Sequence, residues 1–390
     1  MPRTSFPVSV EPSVLLWART SIGLSQEEAV TKAKVLLDDI LEWESGNAAP
    51  TFVHLKRMSS AYKRSTATLM LPAVPKRAKP PVDLRTLPNQ HSHPLTTKTL
   101  KAIRRAERVQ AVTVELAESM GVALKPSLPS LVAATDPEAA AGVLRRSLLT
   151  GETNPRPLRD KQKMYECWRT RAERLGVLVV QATLDRHECR AFALANDLAP
   201  LVLVNSVEYP APRSFSLIHE LAHLALRASA LCDMEEPDTA AFPASSVEVF
   251  CNHVAGAVLV PTDEMMALPQ MKSHGGTWSD SELDDMAIEF GVSKEVMLRR
   301  LLIHGATTKD YYEAKRQEWR EKHRDMKDYI PHVPEGKKPL NRNGLTFSTL
   351  VAQAQRGEVI SLREAADFLG TKPKHMKSFE SYLAAARLQR

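Results

Sequence analysis

Two histidines four residues apart, His219 and His223, bracket a glutamate in the run His219-Glu220-Leu221-Ala222-His223. On a helix this spacing sets both imidazoles on one face about a turn apart, where they can reach one cation. Zinc accepts such nitrogen ligands in a tetrahedron, and a catalytic site keeps one position for water. The metal makes that water acidic, and Glu220 is placed to take its proton. The surroundings agree: Phe215, Leu217, Ile218, Leu221, Ala222, Leu224, Ala225 and Leu226 make the helix apolar nearly all round, hence buried. Buried imidazoles and a buried carboxylate are costly unless something satisfies them, and a metal with its water does so. The competing reading is a pair of histidines at chance spacing.

A third protein ligand is needed, and Glu248, 25 residues beyond His223, is the expected one. It opens a second buried helix, Val247 to Val260, that can fold back antiparallel on the first. A glutamate in a first helical turn also suits the helix dipole on its own account. Asp233, Glu235, Glu236 and Asp238 sit in a polar, proline-containing stretch that reads as a solvated loop and rank lower, and His253, five residues past Glu248 and off its face, is a weaker alternative ligand. The expected site is therefore Zn²⁺ on His219, His223 and Glu248, with Glu220 as general base. A purely structural zinc ranks last, because closed sites usually have four ligands and are rich in cysteine. Cys232 and Cys251 flank the intervening loop, as a redox-responsive pair or as two buried thiols.

Ahead of this helix the hydrophobic period changes. Val177 to Val180, Ala191 to Ala195 and Leu201 to Val204 are short apolar runs, expected as strands of a small sheet. Most of the remainder reads as helix. Leu158 to Leu175 is amphipathic and stops at Gly176, Ser246 to Val260 stops at Pro261, and Ser281 to Ile303 splits at Gly291-Val292-Ser293. Asn341 to Gly344 breaks the chain before a last group of helices from Phe347 to Leu388. At the amino end, helices are expected over Pro12 to Thr20, from the capping box Ser25–Glu28, over Leu36 to Glu44, over Thr51 to Lys63 and near Thr66 to Leu71. The fold class is mainly α with a small β-sheet (α+β).

Composition sets the outer bounds. Hydrophobic content of 43% and charged content of 25% are those of a globular protein. No apolar run is long enough for a membrane span and no signal peptide is evident, so no membrane partner and a cytoplasmic location are expected. Four scattered cysteines form no C-x-x-C pair, which excludes a zinc ribbon. The net charge of +6 is uneven: both ends are basic and the middle is acidic, which fits polyanion contact at the ends or simply solvated faces.

The segment Arg213-Ser-Phe-Ser-Leu-Ile-His219-Glu220-Leu-Ala-His223, then Val247-Glu248-Val-Phe-Cys251-Asn252-His-Val-Ala255-Gly-Ala-Val-Leu259-Val-Pro261, resembles the ImmA/IrrE family of metallopeptidases. Glu188-Cys-Arg190-Ala-Phe192 resembles its upstream strand, with Ala191 where a glycine is usual, and Phe290-Gly291-Val292-Ser293 its downstream helices. The resemblance implies a zincin-like fold, zinc on His219, His223 and Glu248, Glu220 as base, and cleavage of a helix-turn-helix repressor or a role beside mobile-element or toxin–antitoxin genes. It also raises Asn252, either as a residue that orients a ligand or substrate chain or as a buried polar residue satisfied within its helix.

Gly23-Leu-Ser25-Gln26-Glu27-Glu28-Ala29, Leu41-Glu-Trp43-Glu44-Ser45-Gly46 and Pro50-Thr51 resemble an Xre-type (Cro/C1-like) helix-turn-helix. Yet the helix that would enter the major groove holds Asp38, Asp39, Glu42 and Glu44 and no cation, although Lys32, Lys34, Lys56, Arg57, Lys63 and Arg64 lie nearby. Phosphate attraction dominates DNA affinity, so DNA contact and protein docking both remain open. The expected segments are an Xre-like domain at 1–71, a proline-rich basic linker at 72–97 with Lys76, Arg77 and Lys79, a helical connector at 98–157, a peptidase domain at 158–330 and a helical domain at 331–390. The expected function is zinc-dependent cleavage of a protein, a repressor or other regulator. The alternative is a DNA-binding regulator or antitoxin whose zinc domain senses or docks a partner such as a toxin.

Overall fold

The computed structural model describes residues 7–62, 64–75, 95–150, 160–185, 188–232, 244–273, 276–322 and 332–388. Lys63, Lys76, Arg77, Lys79, Asp233, Glu235, Glu236, Asp238 and the side chain of Cys232 lie outside the described residues. The chain forms two compact units, with the division after Arg104.

The first unit holds α1 (Pro12–Thr20), α2 (Gln26–Ala33), α3 (Leu37–Ser45), α4 (Phe52–Tyr62), α5 (Thr66–Leu69) and the start of α6 (Thr97–Ser119). The Ser25–Glu28 capping box starts α2, and Lys34 in the left-handed region ends it. Leu15, Ile22, Ile40, Trp43, Leu55, Met58 and Tyr62 form its core. At the edge of that core Arg19 meets Glu44 at 2.6 and 2.7 Å, both side chains nearly buried.

The second unit continues α6 and adds α7 (Pro137–Leu148), α8 (Lys161–Arg174), β1 (Leu178–Ala182), β2 (Ala191–Leu194), β3 (Leu201–Asn205), α9 (Pro210–Cys232) and α10 (Ala244–Leu259). After these come α11 (Thr262–Met266), a 3₁₀ turn at Pro269–Ser273, α12 (Asp280–Phe290), α13 (Lys294–Ile303), α14 (Lys309–Lys322), α15 (Lys338–Arg356), α16 (Leu362–Leu369) and α17 (Met376–Leu388). The architecture is α+β, as the periodicity predicts. The three strands stand in the order β1-β3-β2, with β1 parallel and β2 antiparallel to β3. Val180 and Phe192 flank Leu203. β2 and β3 are buried throughout and β1 in all but its last residue, which is why they read as unbroken apolar runs.

Helix α9 packs on β2, β3, α8 and α10, and α10 packs on α7. The carboxy-terminal helices join the same unit, since α15 lies along β1. The break expected at Asn341 to Gly344 is an interruption within α15. Gly344 has φ 78° and ψ 171°, and a Cβ there would meet the Val179 carbonyl at 2.8 Å. The backbone N–H of Leu345, freed by that interruption, donates to buried Glu173 at 2.9 and 3.1 Å. Arg169 bridges the Val179 and Asn341 carbonyls at 2.7 and 2.8 Å. The buried carboxylate thus restarts the helix where glycine stops it.

Candidate metal centre

The first half of α9 is anchored before it reaches the histidines. Asn205, at the end of β3, accepts from the backbone of Leu184 and Val207. Buried Arg213 donates to Gln181 of β1 and Gln162 of α8 at 3.1 and 2.8 Å and lies 4.6 Å over the Tyr165 ring. The Arg213 ties fix the rotation of α9, and His219 follows nearly two turns on.

His219, Glu220 and His223 are buried, and the two Nε2 atoms are 3.1 Å apart. Glu248, in the second turn of α10, closes the triangle: Oε2 is 3.3 Å from His219 Nε2 and Oε1 is 3.1 Å from His223 Nε2. Among the described residues this is the one group whose donor atoms converge enough to hold a metal. The edges fit a cation. A tetrahedron with ligand bonds of about 2.0–2.2 Å has edges of about 3.3–3.6 Å. Two nitrogens and a carboxylate are the donors such a cation takes. Glu248 is 42% exposed while His219 is sealed, so the triangle has a wet side and a dry side.

The electrostatics point the same way. Burial works against a charge on His223, but hydrogen bonds with Cys251 and Glu248 and the charge of Glu220 overcome it and push the ring up to about 11. Burial would raise Glu248, yet hydrogen bonds with His219 and His223 hold it well below the carboxylate range. Both shifts describe one ion pair, in which the His223 ring and the Glu248 carboxylate hold each other in their charged forms. Glu220 follows His219 directly in α9 and is buried with it, and its charge raises both His223 and the Cys251 thiol.

Sequence reading proposes His253 as an alternative ligand, but the structure turns it elsewhere. Its Nε2 is 2.6 Å from Glu138 of α7. Glu138 also takes Arg300 of α13 in a bidentate pair at 2.5 and 3.1 Å, and Thr262 at 2.9 Å. Burial pushes the Glu138 carboxyl up, and hydrogen bonds from His253 and Arg300 hold it well below its ordinary value. Arg300, fully buried, also donates to the Val260 carbonyl at 3.0 Å, just past the end of α10, where a cation suits the helix dipole. This network clamps the far side of α10 and so sets where Glu248 stands.

Sequence reading also missed the role of Cys251. It is a free, buried thiol three residues past Glu248, and its influence helps to raise the His223 ring while burial pushes its own thiol up. The one available signal was its helical spacing from Glu248. Asn252 is partly buried, and its Oδ1 has no hydrogen-bond partner among the described residues.

Residues 172–302 match the model of a metallopeptidase family, Peptidase_M78, described as the IrrE N-terminal-like domain. That span runs from the end of α8 through α13 and contains the sheet, both metal-site helices and Arg300. It supports the ImmA/IrrE resemblance for this part of the chain, and a metallopeptidase family implies a metal. No curated protein and no solved structure matches the chain.

Proposed function

We propose that this protein is a zinc endopeptidase that cleaves a protein substrate, a transcriptional repressor or other regulator. The observation that carries the reading is the triangle of His219 Nε2, His223 Nε2 and the Glu248 carboxylate, with edges of 3.1–3.3 Å, beside buried Glu220. Zinc bound there would acidify a water and polarise the scissile carbonyl. His219 and His223 offer Nε2. Glu248 brings one negative charge, so zinc on these three ligands would keep one net positive charge. Glu220 takes the proton of the attacking water and passes it to the leaving amine. The half-exposed side of Glu248 is where an extended chain enters, while the apolar packing of α9 keeps bulk water from the other side.

The test is Glu220→Gln. Zinc content measured by atomic absorption is expected to stay at the wild-type level. Cleavage of a quenched-fluorescent peptide library, and of any repressor encoded beside the gene, is expected to fall by about a thousandfold. Unchanged cleavage rules out this mechanism.

A second reading makes the chain a DNA-binding regulator or antitoxin through an Xre-like domain at 1–71. It is favoured by the exposed cations Lys32, Lys34, Lys56 and Arg57 of the first unit. It requires a steeply salt-dependent shift of promoter DNA in a gel, and absence of binding at low ionic strength removes it.

A further inference from the structure

We propose that the solvent face of α3 is a docking surface for a cationic amphipathic helix of a partner protein. Successive residues of a helix are rotated by about 100°, so Leu37, Leu41, Ser45, Asp38 and Glu42 occupy one arc of about 140°. The opposite side carries Ile40 and Trp43 into the core. Leu37 is 38% exposed, Leu41 43%, and Leu36, at the N-cap, 70%. Isolated exposed leucines are ordinary, but here three fall within two turns and add nothing to the core of their own unit. Beside them runs an acidic edge.

The four carboxylates of this helix divide by role. Asp39 accepts the backbone N–H of Leu36 at 3.2 Å and so starts the helix. Glu44 is held by Arg19. Asp38 and Glu42, one turn apart, are exposed and have no ion-pair partner among the described residues. The cations of this unit lie on or beside the other helices, Lys32 and Lys34 at α2 and Lys56 and Arg57 on α4. The face therefore has an apolar edge and an anionic edge, and both need a counterpart.

Charge decides among occupants. DNA would set phosphates against Asp38 and Glu42, and an anionic membrane would do the same. A second copy about a two-fold axis would bring the same carboxylates against themselves. A partner helix with leucine-like residues at i, i+4 and lysine or arginine along one flank satisfies both edges at once. The inference rests on the first unit alone and stands whether or not the metal centre cleaves peptides.

The full chain is titrated with a fluorescein-labelled helical peptide of leucines and lysines, about 18 residues long, followed by anisotropy. The same peptide with glutamate for lysine, and a labelled DNA duplex, run in parallel. Two double variants are compared, L37S/L41S and D38K/E42K. All four positions are exposed, and an unchanged circular-dichroism melt verifies that each variant folds. The lysine peptide is expected to bind the wild type and to bind each variant at least roughly tenfold more weakly. The glutamate peptide is expected to bind the wild type poorly and D38K/E42K better. Four results overturn the proposal: no binding of the lysine peptide, equal binding by wild type and both variants, duplex binding that L37S/L41S abolishes, or a wild-type dimer in sedimentation equilibrium that L37S/L41S dissolves.

Discussion

Helices α3 and α9 each concentrate charged or ligating side chains on a short stretch, and they treat them in opposite ways. In α9, His219, Glu220 and His223 are turned inward, and the surrounding helix is apolar on nearly every side. In α3, Asp38 and Glu42 are turned outward beside exposed leucines, while the apolar core residues face in. Burial in low dielectric makes the α9 groups interact strongly with one another and with any cation among them. Exposure leaves the α3 carboxylates individually weak but free to meet a partner. Polar residues on a helix are thus read by where the remaining apolar residues send them.

The sharpest way to break this contrast is to remove one inward-facing group. His223→Ala is expected to weaken zinc binding on the order of a thousandfold, read by competition with a chromophoric chelator. In the wild type, stripping the metal should cost about 4 kcal/mol of stability if zinc was present at a thousandfold excess over Kd, read as a lower Tm. If His223→Ala binds zinc like the wild type, the triangle is not the metal site.

Next in size is the clamp behind α10. Glu138→Ala leaves Arg300 buried without its carboxylate and is expected to destabilise by about 3 kcal/mol, measured by urea unfolding. Zinc affinity should fall with it, because α10 carries Glu248. Normal zinc affinity in that variant would mean that α10 holds its place without the clamp.

The equivalent test in the first unit is Glu44→Ala. It removes the partner of nearly buried Arg19 and is expected to cost about 2 kcal/mol. Zinc content should not change, and a loss of zinc would erase the distinction drawn between the two helices.

The smallest effect is on acid stability. Hydrogen bonding with Lys315 holds Asp280, at the start of α12, down from 3.8 to about 2, against a little burial. The ionised form is the one the fold prefers. Its contribution is therefore complete above pH about 4 and disappears as pH falls towards 2. Asp280→Asn should lower the urea midpoint slightly at pH 6 and not at all near pH 2. An equal loss at both values would assign the effect to packing.

Much of this was legible in the residues. The i, i+4 histidines, the intervening glutamate and the apolar run around them need only helical geometry to define a metal-binding face. The strands were legible because apolar β-branched runs at Leu178–Ala182 and Leu201–Asn205 bury both faces. Helix starts were legible where a capping box is local, as at Ser25.

Other features depend on residues far apart in the chain. Glu138 meets His253, Thr262 and Arg300 across separations of 115, 124 and 162 residues, and no local pattern links them. His253 looked like a spare ligand until α7 came to lie against α10. The exposure of Leu37 and Leu41 was likewise undecided, because an amphipathic period says that one side of a helix is apolar but not which leucines the neighbouring helices cover. The amino-acid sequence by itself determined the chemistry and spacing of His219, Glu220 and His223, since one helical turn is enough to align them. Only the tertiary structure decided that Glu248 closes the triangle, that His253 serves a clamp and that α3 keeps leucines in water, because each of these depends on which elements pack together.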